Sequence, residues 1–443
     1  MLNNLIQKSS KDIYVLSLLM SFPILTVSKL PLLLYALILY VLVLKRKIFA
    51  YNFTKSNIKL LLIISLWVVF SFITFFYSEN LNRYSITIIR ILPFIFFPFF
   101  ILFGFKTISK NDLSILFKVL IFFMLIKIFI VYLGIVEGSN HFYNEKISAF
   151  NLIDNAKRFL IHTPNQLIGN YKWQPNRPIM YFHKAYFSIL LLVCITYLLY
   201  KIIISNRKAY KLIGIIILLV FNAVLLFLFS FPNIILLFII YCFFIFREFK
   251  KSSKLLIIMV SSVILLTTFY CLSPGGNNYI NIQQKKLSIY IKSFEKQIQN
   301  PNSIVINNAR IRSANCALEN INKNLIFGYG EGDVNEVLLG CYNQKKFLTQ
   351  LKERHNTHNY YLDRLLSGGL IMLTLFLLMF LTLFRMAIKN KDILSFIILF
   401  IFAFNLFFEN VFSVAYGVFM FNILSTICLK FNMGFKKNKK LLK

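Results

Sequence analysis

Long apolar runs separated by short polar clusters repeat along most of this chain. Several runs approach the ~20 residues that an α-helix needs to cross a bilayer, and the shorter ones suit tilted or partial spans. The pattern predicts an all-α polytopic membrane protein with about twelve transmembrane helices. The predicted spans are 12–28, 30–44, 59–77, 84–105, 112–135, 178–200, 211–230, 233–247, 254–272, 361–384, 392–408 and 410–429.

Two longer polar stretches, 136–177 and 273–360, interrupt this pattern. Within the second stretch, apolar residues spaced by three and four positions predict an amphipathic helix over 286–299 that lies on the membrane surface. A second helix is expected over about 309–322. We therefore divide the chain into three parts. They are a transmembrane bundle at 1–272, a helical loop at 273–360 between the ninth and tenth spans, and C-terminal transmembrane helices with a basic tail at 361–443.

The composition agrees with a membrane protein, because 58% of the 443 residues are hydrophobic and 15% are charged. A net charge of +33 at pH 7 would also suit a nucleic-acid-binding protein. However, the Lys and Arg residues form short clusters between the apolar runs, mostly on one side of the predicted membrane. Short loops of the other side carry only Lys29 and Arg83. The positive-inside rule then places both termini in the cytoplasm and both long loops outside. We expect membrane lipids as partners, and no nucleic acid.

Two cations, Arg90 and Lys184, lie about six residues inside their predicted spans, which is roughly 9 Å below the outer surface. A charge at that depth costs at least ~2.5 kcal/mol unless it is paired or hydrated. None of the sixteen acidic residues falls in the middle of a predicted span, and Asp363 and Glu409 mark span ends. A lipid-linked phosphate or pyrophosphate would supply the missing anion. The alternative is that these long side chains extend to the headgroups.

The end of the second polar stretch carries the segment His355-Asn356-Thr357-His358-Asn359-Tyr360-Tyr361-Leu362, directly before a predicted span. Histidine is suited to proton transfer because it titrates near neutrality. His358 is the best candidate for a general base, and His355 is second. The alternative for His358 is a role in fixing the start of the tenth span.

The same stretch contains a glycine-rich run at 328–333 and two cysteines. No strand precedes the run and no Lys-Ser/Thr follows it, so we interpret it as a tight turn rather than a nucleotide-binding motif. Asp333 has no second carboxylate at a metal-binding spacing, and we expect neither a metal nor another cofactor. An oxidising compartment would permit a disulfide between Cys316 and Cys341, but the sequence leaves this open.

Three segments resemble the O-antigen ligase and polymerase superfamily of bacterial envelope glycan transferases. The first is Arg310, followed across a helix by Asn324-Leu325-Ile326-Phe327-Gly328-Tyr329-Gly330. The second is His358-Asn359-x-Tyr361-Leu362-x-x-Leu365-x-x-x-Gly369. The third is His183-Lys184-Ala185-Tyr186, which is similar to a His-x-x-Tyr element of related sequences. Twelve spans with a large outward loop between the ninth and tenth also match the superfamily.

This resemblance implies an enzyme of the bacterial inner membrane. The implied donor is a glycan linked to polyprenyl pyrophosphate, and the implied transfer is metal-independent, to lipid A–core for a ligase or to another lipid-linked glycan for a polymerase. The pyrophosphate leaving group needs cations, and the acceptor hydroxyl needs a base. We predict His358 and Arg310 as catalytic residues. The predicted substrate-binding residues are Arg312, His355, Asn359, Tyr361, His183, Lys184, Tyr186 and Arg90.

The chain also departs from the family pattern. Ser230-Phe231-Pro232-Asn233 stands where the family usually has Ser-Arg, so an expected phosphate-binding arginine is missing, and Lys184, Arg90 or Arg312 are its candidate substitutes. Leu325 replaces a usual proline, and Ser367 stands where many members carry glutamate. A third hypothesis, a transporter or lipid-glycan flippase, predicts internal repeats and polar residues at the midplane, which the sequence does not display.

Overall fold

A computed structural model describes residues 54–104, 108–143, 184–205, 207–228, 230–248 and 309–441, together with Ser17 and Ser288. Every regular element in these residues is a helix. Numbered in chain order over the described residues, the α-helices are α1 Lys55–Ile73, α2 Leu81–Ile91, α3 Pro93–Gly104, α4 Lys110–Tyr143, α5 Lys184–Ile204, α6 Lys208–Leu228, α7 Phe231–Glu248, α8 Ala309–Lys323, α9 Val334–Gln344, α10 Leu348–Glu353, α11 Tyr360–Lys389, α12 Ile393–Asn405 and α13 Ala415–Leu441.

Six helical segments of the described residues are long and apolar enough to cross a membrane, which confirms a helical membrane protein. They are Lys55–Tyr77, Leu81–Phe103, Lys110–Leu133, Ala185–Ile204, Lys208–Leu228 and Tyr360–Lys389. Three shorter apolar helices are Phe231–Arg247, Ile393–Asn405 and Tyr416–Phe431. These nine segments correspond to nine of the predicted spans. The predicted spans 12–28, 30–44 and 254–272 and the predicted surface helix 286–299 lie outside the described residues, so the number twelve stays a prediction.

The chain forms two compact units. Among the described residues, the first unit comprises Ser17, 54–104, 108–116 and 309–441, and the second comprises 117–143, 184–205, 207–228, 230–248 and Ser288. In the first unit, α1 packs on α3 and α11, α3 packs on α13, and α8 packs on α9 and α11. Aromatic rings fill its interior, where the ring centroid of Trp67 lies 4.8 Å from that of Phe94 and 5.3 Å from that of Phe376. In the second unit, α5 packs on α6 and α7.

Helix α11 is the longest element of the first unit, and it is interrupted at Gly368 and Gly369. Gly369 adopts φ 63° and ψ −159°, a conformation that is essentially restricted to glycine. The interruption exposes backbone groups that a continuous helix would use internally. The turn after α8 satisfies them, because Tyr329 N donates to Leu366 O at 2.8 Å and Leu370 N donates to Leu325 O at 2.9 Å.

Glycine permits this close approach on both sides. A Cβ atom on Gly328 would lie 2.5 Å from the Leu366 carbonyl oxygen, and one on Gly369 would collide with the Ile326 carbonyl. The two main segments of the family resemblance, the turn after α8 and the start of α11, are therefore docked on each other through the backbone. The interpretation of 328–333 as a turn agrees with the structure.

Asp333 ties the same turn to a third element. It occupies the N-cap position of α9, but its side chain makes no hydrogen bond to that helix. Its carboxylate instead accepts hydrogen bonds from Glu79 N and Asn80 N, both at 2.8 Å, at the start of α2. The Glu331 N–H also donates to the hydroxyl oxygen of Thr74, directly after α1. The glycine-rich turn is thus held by the end of α1, by the start of α2 and by α11.

The last predicted span, 410–429, begins too early. Residues 406–414 form a turn with a short 3₁₀ segment at Val411–Ser413, and α13 begins at Ala415. The difference has a physical cause, because the Asn410 side chain is buried in hydrogen bonds to Thr357 and Asp363 instead of continuing a helix. This turn carries Glu409, which contacts the candidate site.

Candidate active site

The segment from His355 to Asn359 forms a compact turn between α10 and α11. Asn359 is the N-cap of α11, and its side-chain oxygen accepts hydrogen bonds from the backbone N–H groups of Tyr361 at 3.0 Å and Leu362 at 3.1 Å. His358 lies just before this cap with φ 50°, in the left-handed region that non-glycine residues seldom occupy. Its N–H donates to the Asn356 side chain at 2.9 Å. Such strained backbone is concentrated at functional sites.

Glu409 brings the two predicted catalytic residues together. Its Oε2 lies 3.1 Å from Nδ1 of His358 and 3.5 Å from Nη2 of Arg310. The Glu409 side chain is 10% exposed, His358 is 25% exposed and Arg310 is 53% exposed. The carboxylate is therefore enclosed, while the histidine and the arginine both reach solvent.

This arrangement fits proton transfer. An ionised Glu409 accepts a hydrogen bond only if Nδ1 of His358 carries the hydrogen, which leaves the Nε2 lone pair to accept a proton. The carboxylate also stabilises the imidazolium that forms after transfer, as in other histidine–carboxylate pairs. Arg310 adds a cation beside the same carboxylate, with half of its side chain open to a substrate anion.

His355 is adjacent but makes different contacts. Its ring centroid lies 5.6 Å from that of His358, and its Nε2 lies 2.7 Å from Oε2 of Glu353. Its carbonyl oxygen accepts a hydrogen bond from the Tyr342 hydroxyl at 3.2 Å. Burial raises the pKa of the Tyr342 phenol above its ordinary value, so this group remains a hydrogen donor at neutral pH. The contact anchors the His355 turn to α9.

Three other predicted residues lie nearby with partners in the protein. The guanidinium carbon of Arg312 lies 4.8 Å from the ring centroid of Phe347. The Tyr361 hydroxyl donates to the Ala403 carbonyl at 2.8 Å, and its ring centroid lies 4.4 Å from that of Phe407. Asn359 is occupied by capping. Tyr361 and Asn359 thus fix the start of α11, and direct contact of these three residues with a substrate stays a prediction.

The remaining predicted residues are Arg90, Lys184, Tyr186 and His183. Arg90 is exposed in the last turn of α2. Lys184 begins α5 and Tyr186 is half-buried in its first turn, both in the second unit. His183 lies outside the described residues. Which residue takes the place of the missing phosphate-binding arginine therefore stays a prediction.

A buried ionic cluster of Glu331, Asp363 and Arg364 lies behind the candidate site. Arg364 is 3% exposed, and its guanidinium forms two hydrogen bonds to Glu331, one of them at 3.0 Å, and one to Asp363 at 2.8 Å. The Ser71 hydroxyl donates to Glu331 at 2.9 Å. Asp363 lies in the first turn of α11, at the end of its span as the sequence predicts, and it is buried there with Arg364 as its partner.

The structure contains a disulfide between Cys316 and Cys341, a pairing that the sequence leaves open. It joins α8, which carries Arg310, to α9. Both cysteines lie in an apolar cluster with Ala317, Leu338 and Tyr342. The bond and this packing hold α8 in a fixed position beside the His355 turn.

Sequence reasoning did not identify Glu409, Arg364 or Glu331 as site residues. Glu409 contacts His358 across 51 positions of sequence, so no local pattern could connect the two. Arg364 offered a weak signal, because a charged residue in the fifth position of an apolar helix requires a partner. Among the described residues, no three His, Cys, Asp or Glu side chains gather as they would around a metal.

Together, the fold and the site define a helical membrane protein in which a histidine, a glutamate and an arginine meet before a broken helix. Residues 233–377 of the chain match the family model described as O-Antigen ligase. This match supports the predicted O-antigen ligase/polymerase superfamily, whose members are membrane glycosyltransferase-like enzymes that act on a lipid-linked glycan and an acceptor. It includes Arg310 and His358 but ends before Glu409. No curated protein matches the chain.

Proposed function

We propose that this chain is an O-antigen ligase-like glycosyltransferase of the bacterial inner membrane. It transfers a glycan from a polyprenyl-pyrophosphate carrier to an acceptor sugar of lipid A–core on the periplasmic face, without a metal. The observation that carries the proposal is the contact of Glu409 with both His358 and Arg310, within a chain that matches the ligase family.

Each residue has a distinct role in the proposed step. Nε2 of His358 removes the proton of the acceptor hydroxyl, whose oxygen forms a bond to the anomeric carbon of the donor glycan. The bond from that carbon to the pyrophosphate oxygen breaks, and the polyprenyl pyrophosphate leaves with the electron pair. Arg310, with Arg312, stabilises the negative charge that develops on it.

The proposed orientation follows from charge. Both termini are cytoplasmic and the segment 309–360 is periplasmic, because the Lys and Arg clusters of the connections fall mainly on the opposite side. A disulfide in this segment is consistent with an oxidising compartment. A polymerase would use the same residues with another lipid-linked glycan as acceptor, and is the second candidate.

The test is replacement of the two proposed catalytic residues in the native host. We expect His358→Ala and Arg310→Ala to abolish long glycan on lipopolysaccharide, as seen by gel electrophoresis of the cell's lipopolysaccharide. Loss of a positioned general base alone lowers the reaction rate by about 10²–10⁴-fold. Arg354→Asn is the matched control, because Arg354 is an exposed, left-handed residue of the same segment that pairs with Glu336.

Each variant is compared at equal amounts of protein in the membrane. The control should produce normal long glycan. Normal product from both His358→Ala and Arg310→Ala would refute the proposed site.

A further inference from the structure

The buried ionic cluster is connected to the candidate site through Asn410 and Thr357. The Asn410 amide donates hydrogen bonds to Oδ1 of Asp363 at 3.3 Å and to Oγ1 of Thr357 at 3.1 Å. Thr357 and Asn410 are each 2% exposed. Asp363 in turn holds Arg364, which holds Glu331. A continuous set of buried polar contacts thus runs from the glycine-rich turn to the turn that carries His358.

Thr357 also organises the backbone of the His358 turn. Its hydroxyl donates to the Asn359 carbonyl at 2.8 Å, and its oxygen accepts a hydrogen bond from Asn359 N at 3.3 Å. The two residues that flank His358 are therefore linked through a single side chain. These contacts hold His358 in its left-handed conformation, which would otherwise be disfavoured.

The two contacts lie at neighbouring positions of both chain segments. Thr357 meets Asn410, and His358 meets Glu409. The first contact is buried and anchored to an ion pair, whereas the second lies at the edge of the site. His358 directly follows Thr357, and Glu409 directly precedes Asn410. The buried contact between Thr357 and Asn410 therefore limits how far apart the two backbones lie at His358 and Glu409.

We propose that Thr357 and Asn410 are positioning residues that hold Glu409 against Nδ1 of His358, and so determine which ring nitrogen of His358 carries the hydrogen. Their significance for catalysis rests on the proposed function. Both residues act through Glu409 and the His358 backbone rather than on the substrate. Arg310 and His355 also face this pair, and Glu353 faces it through His355.

The direct test measures the tautomer of His358 by nitrogen-15 NMR on the full chain in lipid vesicles with labelled histidine. The signal is assigned by its loss in His358→Gln. At a pH where the ring is neutral, we expect hydrogen on Nδ1 in the native protein and in Thr357→Ser, which retains the hydroxyl. Thr357→Val, which removes it at similar volume, should shift the population toward Nε2, as Glu409→Gln should.

Thr382→Val is the matched control, because its hydroxyl donates only to the Leu378 carbonyl within the same helix, α11, among the contacts described. It should leave the tautomer on Nδ1. Asn410→Ala removes the same buried contact from the opposite side. It provides a second measurement if Thr357→Val is not recovered as a folded protein. Hydrogen retained on Nδ1 in both Thr357→Val and Asn410→Ala would overturn the inference.

A rate measurement separates positioning from general loss of structure. In membranes that contain the lipid-linked glycan, Thr357→Val should lower transfer, but should cause no further loss when added to Glu409→Gln. Additive losses would contradict action through Glu409. The proposed function is refuted by a separate result, namely normal glycan product from His358→Ala. That result is independent of the tautomer measurement.

Discussion

At the scale of single residues, the neighbouring histidines that precede α11, His355 and His358, each contact a glutamate, and the two glutamates differ in burial. Glu409, beside His358, is 10% exposed, whereas Glu353, beside His355, is 62% exposed. Water and salt weaken an exposed pair much more than an enclosed one. The enclosed carboxylate is therefore the one that can fix the ring of its partner, although the exposed pair is closer in space at 2.7 Å.

This contrast predicts unequal effects of the same chemical change. Glu409→Gln keeps the size of the side chain but removes its charge, so the preference for hydrogen on Nδ1 of His358 is lost. We expect the transfer rate to fall by up to the ~10²–10⁴-fold that a positioned general base contributes. Glu353→Gln should leave transfer near the native level. The measurement is the initial rate of glycan transfer in membranes with equal amounts of each variant. Equal losses in the two variants would show that the enclosed pair has no special role.

At the scale of structural elements, the broken helix α11 and the glycine-rich turn form one unit. The sequence predicts the turn at 328–333, but it predicts a continuous span over 361–384 and not the break at Gly368 and Gly369. It does not predict that Gly328 and Gly369 face each other's backbone, because that contact depends on the tertiary packing of α8 on α11. The same limitation applies to Glu331 and Arg364, which are far apart in sequence.

Gly369→Ala should therefore destabilise the protein. The Cβ atom would collide with the Ile326 carbonyl at a backbone conformation that itself costs about 1–3 kcal/mol for other residues. Gly340→Ala is the matched control, because a Cβ there meets no atom within 4 Å and alanine favours a helix over glycine by about 0.5–1 kcal/mol. Thermal unfolding in detergent should show a lower midpoint for Gly369→Ala and an unchanged or higher midpoint for Gly340→Ala. A midpoint for Gly369→Ala at or above that of the native protein would contradict this account of the break.

At the scale of the whole molecule, hydrophobic periodicity predicted nine apolar segments of the described residues, because apolar spans are encoded locally. Helix ends were less predictable where polar side chains have distant partners. Asn410 is the clearest case, since its contacts with Thr357 and Asp363 replace the first turn of the predicted last span. His358 and Arg310 were identified through their motifs, whereas Glu409 required the three-dimensional arrangement.

The identity of the acceptor is also a property of the whole molecule, because ligase and polymerase share the proposed chemistry. The roles proposed for His358, Glu409 and Arg310 would serve any sugar hydroxyl, so they do not by themselves select the acceptor. Deletion of the gene in the native host separates the two, since each activity leaves a different product unconverted. We expect the ligase result: no long glycan on lipid A–core, with long polymer retained on the lipid carrier. A single repeat on lipid A–core would instead assign the chain as a polymerase. Unchanged lipopolysaccharide and unchanged carrier-linked glycan would contradict both assignments. Gel electrophoresis of lipopolysaccharide, combined with analysis of the extracted carrier lipids, distinguishes the three outcomes, and re-expression of the native chain should restore the product in either of the first two cases.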